Sequence, residues 1–195
     1  MRVPIVPTLL VGLAVAAMIA LGFWQLLIRL PEKEAELAQL ADNPSLAVIA
    51  FPSGPDDRVL FRRAVLDCRP PVTIARAGAG NAGYRLIATC AGGQLVQLGT
   101  IRDPNGTTRW AGGKVTGRIS HAPDSRPLIA TAFDHVPKPL LLVADVPVPG
   151  LAANRTPDWQ SVPNNHLSYA VQWFLFAGIA AIIYVLALRR RASKS

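Results

Sequence analysis

The chain has 195 residues, 51% of them hydrophobic, and carries 20 basic against 12 acidic side chains for a formal charge of +8. Two long uncharged runs, one near each end, exclude an ordinary one-domain soluble composition. A nucleic-acid binder is disfavoured, because between the two runs lie all 12 acidic residues and, from Lys33 to Arg155, 14 basic ones, a balance of only +2. The rest of the surplus sits at Arg2, Arg29 and the tail residues Arg189, Arg190, Arg191 and Lys194.

The first element is a span over residues 5–29. Its core from Thr8 to Leu27, TLLVGLAVAAMIALGFWQLL, matches the roughly 20 apolar residues needed to cross about 30 Å of hydrocarbon. A cleaved signal sequence opens in the same way, but no small-x-small cleavage pattern follows, so the run is expected to stay as an anchor. Gly12, Ala16 and Ala20 repeat at four-residue spacing, a small-xxx-small pattern expected to admit a close helix neighbour. Residues 30–43 are expected to form a short helix leaving the membrane. The stretch PEKEAELAQLAD has proline in its first turn, acids early and good helix formers up to Asn43-Pro44.

Residues 44–146 read as a β-rich domain. RVLFRRAVLDC, YRLIATC, QLVQLGT, KVTGRIS and LLLVADV are short β-branched or alternating runs bounded by turn formers. Five to seven strands, mostly antiparallel, are expected in a small sheet or open barrel, with the prolines in loops and at edges. Cys68 and Cys90 end two of these runs; a cross-strand disulfide and two free half-buried thiols both fit, and without a CxxC there is no redox or zinc motif. Gly78-Ala-Gly80-Asn-Ala-Gly83 spells GxGxxG, but a strand-like run follows it instead of a helix, so a hairpin loop is expected. Asp134-His135 with Ser120 or Ser125 contains pieces of a hydrolase triad without a nucleophile elbow, so His121 and His135 are read as loop imidazoles. Asn105-Gly-Thr and Asn154-Arg-Thr match the glycosylation acceptor pattern, which is common by chance. Residues 147–165, opening PVPGLAANRTPDWQSVP, are expected to be a Pro-rich tether.

Residues 166–188 form the second span and 189–195 a basic tail. Basic residues before the first span and after the second put both termini on the cytoplasmic side and the central domain on the other. The fold class is therefore membrane α+β: two transmembrane helices flanking a small, mostly antiparallel β domain. On a helix beginning near Asn165, the residues His166, Tyr169, Ala170 and Trp173 share one face, prolonged by Ala177, Ala181 and Tyr184. Trp24, Gln25 and Arg29 lie at the same depth. Two readings of this layer stay open on the residues alone. One is an aromatic belt with a solvated histidine. The other is a neutral imidazole serving as axial ligand to a haem iron, with Arg29 neutralising a propionate.

Two blocks of residues resemble one known family. Gly22-Phe-Trp24-Gln25 followed by Arg29 and Lys33, and Pro163-Asn164-Asn165-His166-Leu167-x-Tyr169-Ala170-x-x-Trp173-Phe174, are similar to the surfeit locus family of cytochrome c oxidase assembly proteins. Gly83-Tyr84-Arg85-Leu86-Ile87 and Leu95-Val96 are similar to that family's central strands. The chain departs from the family where an Arg-Gly-aromatic turn is usual: Gly99 stays, but Leu98 precedes it and Thr100 follows it. The role of that turn is not carried over. The resemblance implies a non-enzymatic, two-span protein of the inner membrane with a periplasmic β domain, helping to insert or stabilise haem a in the large subunit of cytochrome c oxidase. It implies haem a binding by His166, with Trp24, Gln25, Arg29, Tyr169 and Trp173 as accompanying contacts, and haem a synthase as a further partner. A bacterial membrane is expected, since the first span begins near the start of the sequence without an Arg-rich, Ser-rich presequence. The alternative is a cofactor-free, membrane-anchored scaffold stabilising an oxidase assembly intermediate. A membrane-anchored hydrolase would require a nucleophile and base that the sequence does not supply.

Overall fold

The computed structural model describes residues 4–124 and 136–193. It divides into a helical unit, made of the residues up to Leu37 together with those from Val162 onward, and a β unit from Ala38 to Ser161. Arg2 and Lys194, used for orientation, and Ser125, Asp134 and His135, used for the triad reading, lie outside the described residues.

Near the start of the chain, α1 (Ile5–Trp24) leads through a π-helical turn at Gln25–Arg29 into α2 (Leu30–Asp42), whose residues from Ala38 on belong to the β unit and which ends at a 3-10 turn containing Pro44. The last helix, α3 (His166–Ala192), carries three arginines in its final turn, where cations complement the helix dipole. The α1 and α3 segments are long and apolar enough to cross a membrane. They pair antiparallel, because Thr8 Oγ1 meets the Tyr184 hydroxyl at 2.5 Å while Gln25 meets His166 at the other end. At 1.5 Å per residue these two polar links stand about 26 Å apart along α1.

The more buried positions of α1 are Thr8, Val11, Val15, Met18, Gly22 and Gln25. Their alternating spacing of three and four is the coiled-coil repeat. The matching stripe on α3 is His166, Ala170, Trp173, Ala177, Ala181 and Tyr184. The small-xxx-small expectation is corrected here: Gly12, Ala16 and Ala20 lie on the exposed side of α1, where Gly12 has nothing near its missing side chain. The close approach falls at Gly22 instead, where a Cβ would stand 2.6 Å from the Phe174 ring. Phe174 also meets Phe23 edge-on at 5.2 Å between centroids.

The β unit is a seven-stranded sheet. Its strands are β1 (Ile49–Ala50), β2 (Arg63–Cys68), β3 (Thr73–Gly78), β4 (Tyr84–Thr89), β5 (Leu95–Ile101), β6 (Gly113–His121) and β7 (Leu140–Ala144), in spatial order β1-β2-β6-β7-β5-β4-β3. All five runs read as strands are strands. The sheet is mixed, which corrects the mostly antiparallel expectation: β7 inserts between β5 and β6, antiparallel to β6 and parallel to β5, and β1 lies parallel to β2. Every residue of β7 is buried, as suits an unbroken apolar run covered on both faces. Leu98, Ile119, Leu141, Leu142 and Val96 are the largest fully buried apolar side chains.

Cys68 and Cys90 form a disulfide. They end β2 and follow β4, four strand spacings apart in the sheet order, or about 19 Å in a flat sheet. Their Cα atoms are 5.3 Å apart. The sheet is therefore curled until those strand ends meet, which makes an open barrel. Closing this loop restricts the unfolded chain by about 3 kcal/mol.

The Gly78–Gly83 stretch is the β3–β4 hairpin loop, with Gly78 opposite Tyr84 and a 3-10 turn at Gly80–Ala82. Gly83 has φ +87, and a Cβ there would stand 2.6 Å from the Ile101 carbonyl oxygen, so only glycine fits. Leu98-Gly99-Thr100 lies inside β5 and is not a turn. His121 pairs with Asp57 at 2.8 Å on the surface. Asn154 is tied down by its side chain, donating to the carbonyls of Gln97 and Ala144. The segment expected as a tether runs back along the sheet: Ala152 pairs with Thr100, and Val148 N–H donates to the Leu98 carbonyl.

Candidate functional site

The site is built where the π-helical turn of the first long helix faces the start of α3. A π turn closes i→i+5 bonds and so carries one more residue than an α turn, shifting the phase of the helix face beyond it. Gln25 opens that turn and is the last member of the buried stripe of α1. Opposite it, His166 is the first residue of α3 and half-buried.

His166 Nδ1 lies 2.7 Å from Gln25 Oε1. An amide oxygen only accepts, so Nδ1 carries the proton and, in the neutral ring, Nε2 keeps its lone pair. Nε2 has no hydrogen-bond partner among the described residues. This is the outer-shell arrangement that fixes the tautomer and ring orientation of a metal-ligating histidine. Two residues earlier, the Asn164 side-chain oxygen is buried without a hydrogen-bond partner.

The remaining expected residues are distributed around this pair. Arg29 reaches Glu32 Oε2 at 2.6 Å, and its guanidinium lies 5.9 Å from the centroid of the Trp24 ring. Both charges are exposed, so the pair contributes at most about 1 kcal/mol and exchanges readily. Trp173 sits on the buried stripe and meets Phe176 edge-on at 6.3 Å between centroids. Trp24 is 44% and Tyr169 46% exposed. Of the six residues singled out in the sequence, the structure joins Gln25 to His166 and Arg29 to Trp24, places Trp173 in the helix pairing, and leaves Tyr169 outward.

Three contributors were not singled out. Glu32 stands three residues after Arg29, a spacing that signals a helix ion pair. Asn164 lies inside the quoted block but has no pattern of its own. The π turn has no sequence signal, since Gln-Leu-Leu-Ile-Arg is ordinary α-helical composition.

The chain matches the model of the SURF1 family over residues 12–178. The chain belongs to the SURF1 family. No curated protein and no solved structure matches it. The SURF1 family is associated with the assembly of cytochrome c oxidase. Both blocks that carried the resemblance lie inside the matched range, and the Gln25–His166 contact joins them.

The donor set can be tested against haem a from its chemistry. A haem iron takes a neutral imidazole nitrogen, and with Nδ1 bonded to Gln25 the nitrogen that His166 can offer is Nε2. Haem propionates take cations, and the only cation named for that role, Arg29, already holds Glu32. Exposed Phe23, Trp24 and Leu167 flank the pair and supply apolar surface of the kind a macrocycle covers. The residues fit the group through the imidazole and the apolar surround, with Arg29 free to act only by releasing Glu32.

Proposed function

We propose that this SURF1-family protein is a membrane-anchored assembly factor that holds haem a transiently and assists its delivery to, or stabilisation in, the large subunit of cytochrome c oxidase. The observation that carries this reading is the 2.7 Å hydrogen bond that His166 Nδ1 donates to Gln25 Oε1, which leaves Nε2 without a partner among the described residues. When bound, haem a supplies an iron that accepts one imidazole nitrogen. His166 would be that ligand. Gln25 holds the ring in one tautomer and one orientation. Phe23, Trp24 and Leu167 would supply apolar surface beside it. One neutral ligand in a partly open site suits a carrier that must release its cargo, where two strong axial ligands would retain it.

The disulfide supports an oxidising compartment for the β unit. That agrees with both termini on the cytoplasmic side of a bacterial inner membrane and the β unit in the periplasm. The large oxidase subunit and haem a synthase are the partners such a carrier requires, and no catalytic step is assigned to it.

The cofactor-free scaffold is the second reading, favoured by one observation: Arg29 is already committed to Glu32 and Trp24. Haem a content of the oxidase large subunit, measured in cells expressing wild type or His166→Ala at equal protein level, separates the two. The carrier reading expects at least a severalfold loss in the variant. An unchanged haem a content would favour the scaffold.

A further inference from the structure

The β unit contains a cavity of about 570 Å³, within the size range of small-molecule sites. Its floor is the β4–β5 pair. Arg85 stands opposite Thr100 and Ile87 opposite Gln97, with one extra residue on β5 between those pairs. Residues three apart on a regular strand point to opposite faces. The bulge turns Gln97 and Thr100 to the same side, so both line the cavity. The wall is the segment following β7. Asn154 anchors it by accepting from Gln97 Nε2 at 2.7 Å, and Arg155 comes next, lining the cavity.

The polar groups collected here are unusual for a sheet interior. Gln97 is only 5% exposed, and its Oε1 receives just one long contact, 3.5 Å from Arg85 Nη1. That length is at the limit of a hydrogen bond. Arg85 Nε donates to the Gly78 carbonyl at 2.9 Å, which holds the guanidinium plane and leaves its other N–H groups without close acceptors. Neither Arg85 nor Arg155 has a carboxylate partner among the described residues. The one acidic residue lining the cavity, Asp158, has Oδ1 engaged by the Gln160 amide at 3.0 Å. Ser120 adds a hydroxyl to the lining, while the Ser161 hydroxyl there donates to the Asp158 carbonyl at 2.6 Å. Two guanidinium groups against one carboxylate, neither arginine paired to it, leave the cavity lining with a net positive charge and are the elements of oxyanion recognition: the planar fork of arginine pairs bidentately with phosphate.

We propose that this cavity binds a phosphate group, carried either by a small free molecule or by the head of an anionic lipid. Arg85 is the fixed ligand on the floor, and Arg155 closes on the anion from the wall. The test is calorimetric titration of the full-length protein in an uncharged detergent, with inorganic phosphate and separately with short-chain phosphatidylglycerol, for wild type, Arg85→Gln, Arg85→Lys and Arg155→Gln. The expected result is saturable binding of at least one probe, weakened tenfold or more by Arg85→Gln, less by Arg85→Lys, and reduced by raised salt. Binding of inorganic phosphate assigns a free ligand; binding of the lipid probe alone assigns a headgroup. Arg155 is exposed, so Arg155→Gln carries the test should Arg85→Gln fail to fold by circular dichroism. Absence of saturable binding by both probes would overturn the proposal. So would equal affinity in wild type and the glutamine variants.

Discussion

The helical unit and the β unit solve the problem of burying polar groups in opposite ways. In the helix pair the stripe between α1 and α3 is apolar or small except at its two ends, where Thr8 meets Tyr184 and Gln25 meets His166. In the β unit polar groups lie inside the sheet, where Gln97, Asn154 and Arg85 form a connected set around a cavity. A two-helix pair has no core to bury a network in, so its polar chemistry is confined to the ends. A curled seven-stranded sheet pinned by a disulfide can enclose one. The helical unit therefore offers a single imidazole at a threshold, and the β unit offers a charged pocket.

The sharpest way to break this contrast is in the apolar centre of the β unit. Leu141 is 1% exposed on β7, and Leu141→Ala is expected to cost about 2–5 kcal/mol, read as a large fall in the thermal midpoint of the β unit. Second comes the pin. Replacing Cys68 and Cys90 together by alanine is expected to cost about 3 kcal/mol in denaturant unfolding. No loss would mean that the curl of the sheet is held by its strand pairing alone. Third is the helix contact. Gly22→Leu drives a side chain into Phe174 and is expected to separate the helices, lowering disulfide cross-linking between cysteines placed at Thr8 and Tyr184. The smallest effect belongs to Asp56, a partly exposed residue in a surface turn. Its carboxyl is held below the usual range by the Arg58 side chain first and the Arg58 amide second. A depressed folded value stabilises above the ordinary aspartate pKa, and this contribution disappears as pH falls through the folded value. The stability difference between wild type and Asp56→Asn should thus be small at pH 7 and vanish in acid.

The elements were legible because their signals were local. Uncharged length marked both long helices, alternation marked β2, β4, β5 and β6, and a continuous apolar run marked β7. The strand β3 was weak in sequence because Thr73-Ile-Ala-Arg-Ala-Gly is an edge strand with few side chains to bury. Strand order and direction were not legible, since β7 reaches its place between β5 and β6 only through non-local pairing. The same holds for the site. Gln25 and His166 were named for their depth, which is one-dimensional information. Their bond depends on the rotation of each helix, and the small-residue pattern at Gly12, Ala16 and Ala20 pointed to the wrong face because the stripe through Thr8 and Gly22 governs the pairing. The cavity was invisible because a bulge, which no composition announces, brings Gln97 and Thr100 to one side.

The central claim is that Gln25 holds His166 so that Nε2 is presented to iron. The most direct measurement is the optical spectrum of the detergent-purified protein, coexpressed with the enzymes of haem a synthesis, for wild type, His166→Ala and Gln25→Leu. A haem a spectrum in wild type, lost in His166→Ala and shifted or weakened in Gln25→Leu with the helices still paired, is the expected result. Haem a retained unchanged in His166→Ala, or absent from wild type in cells that make it, would contradict the claim.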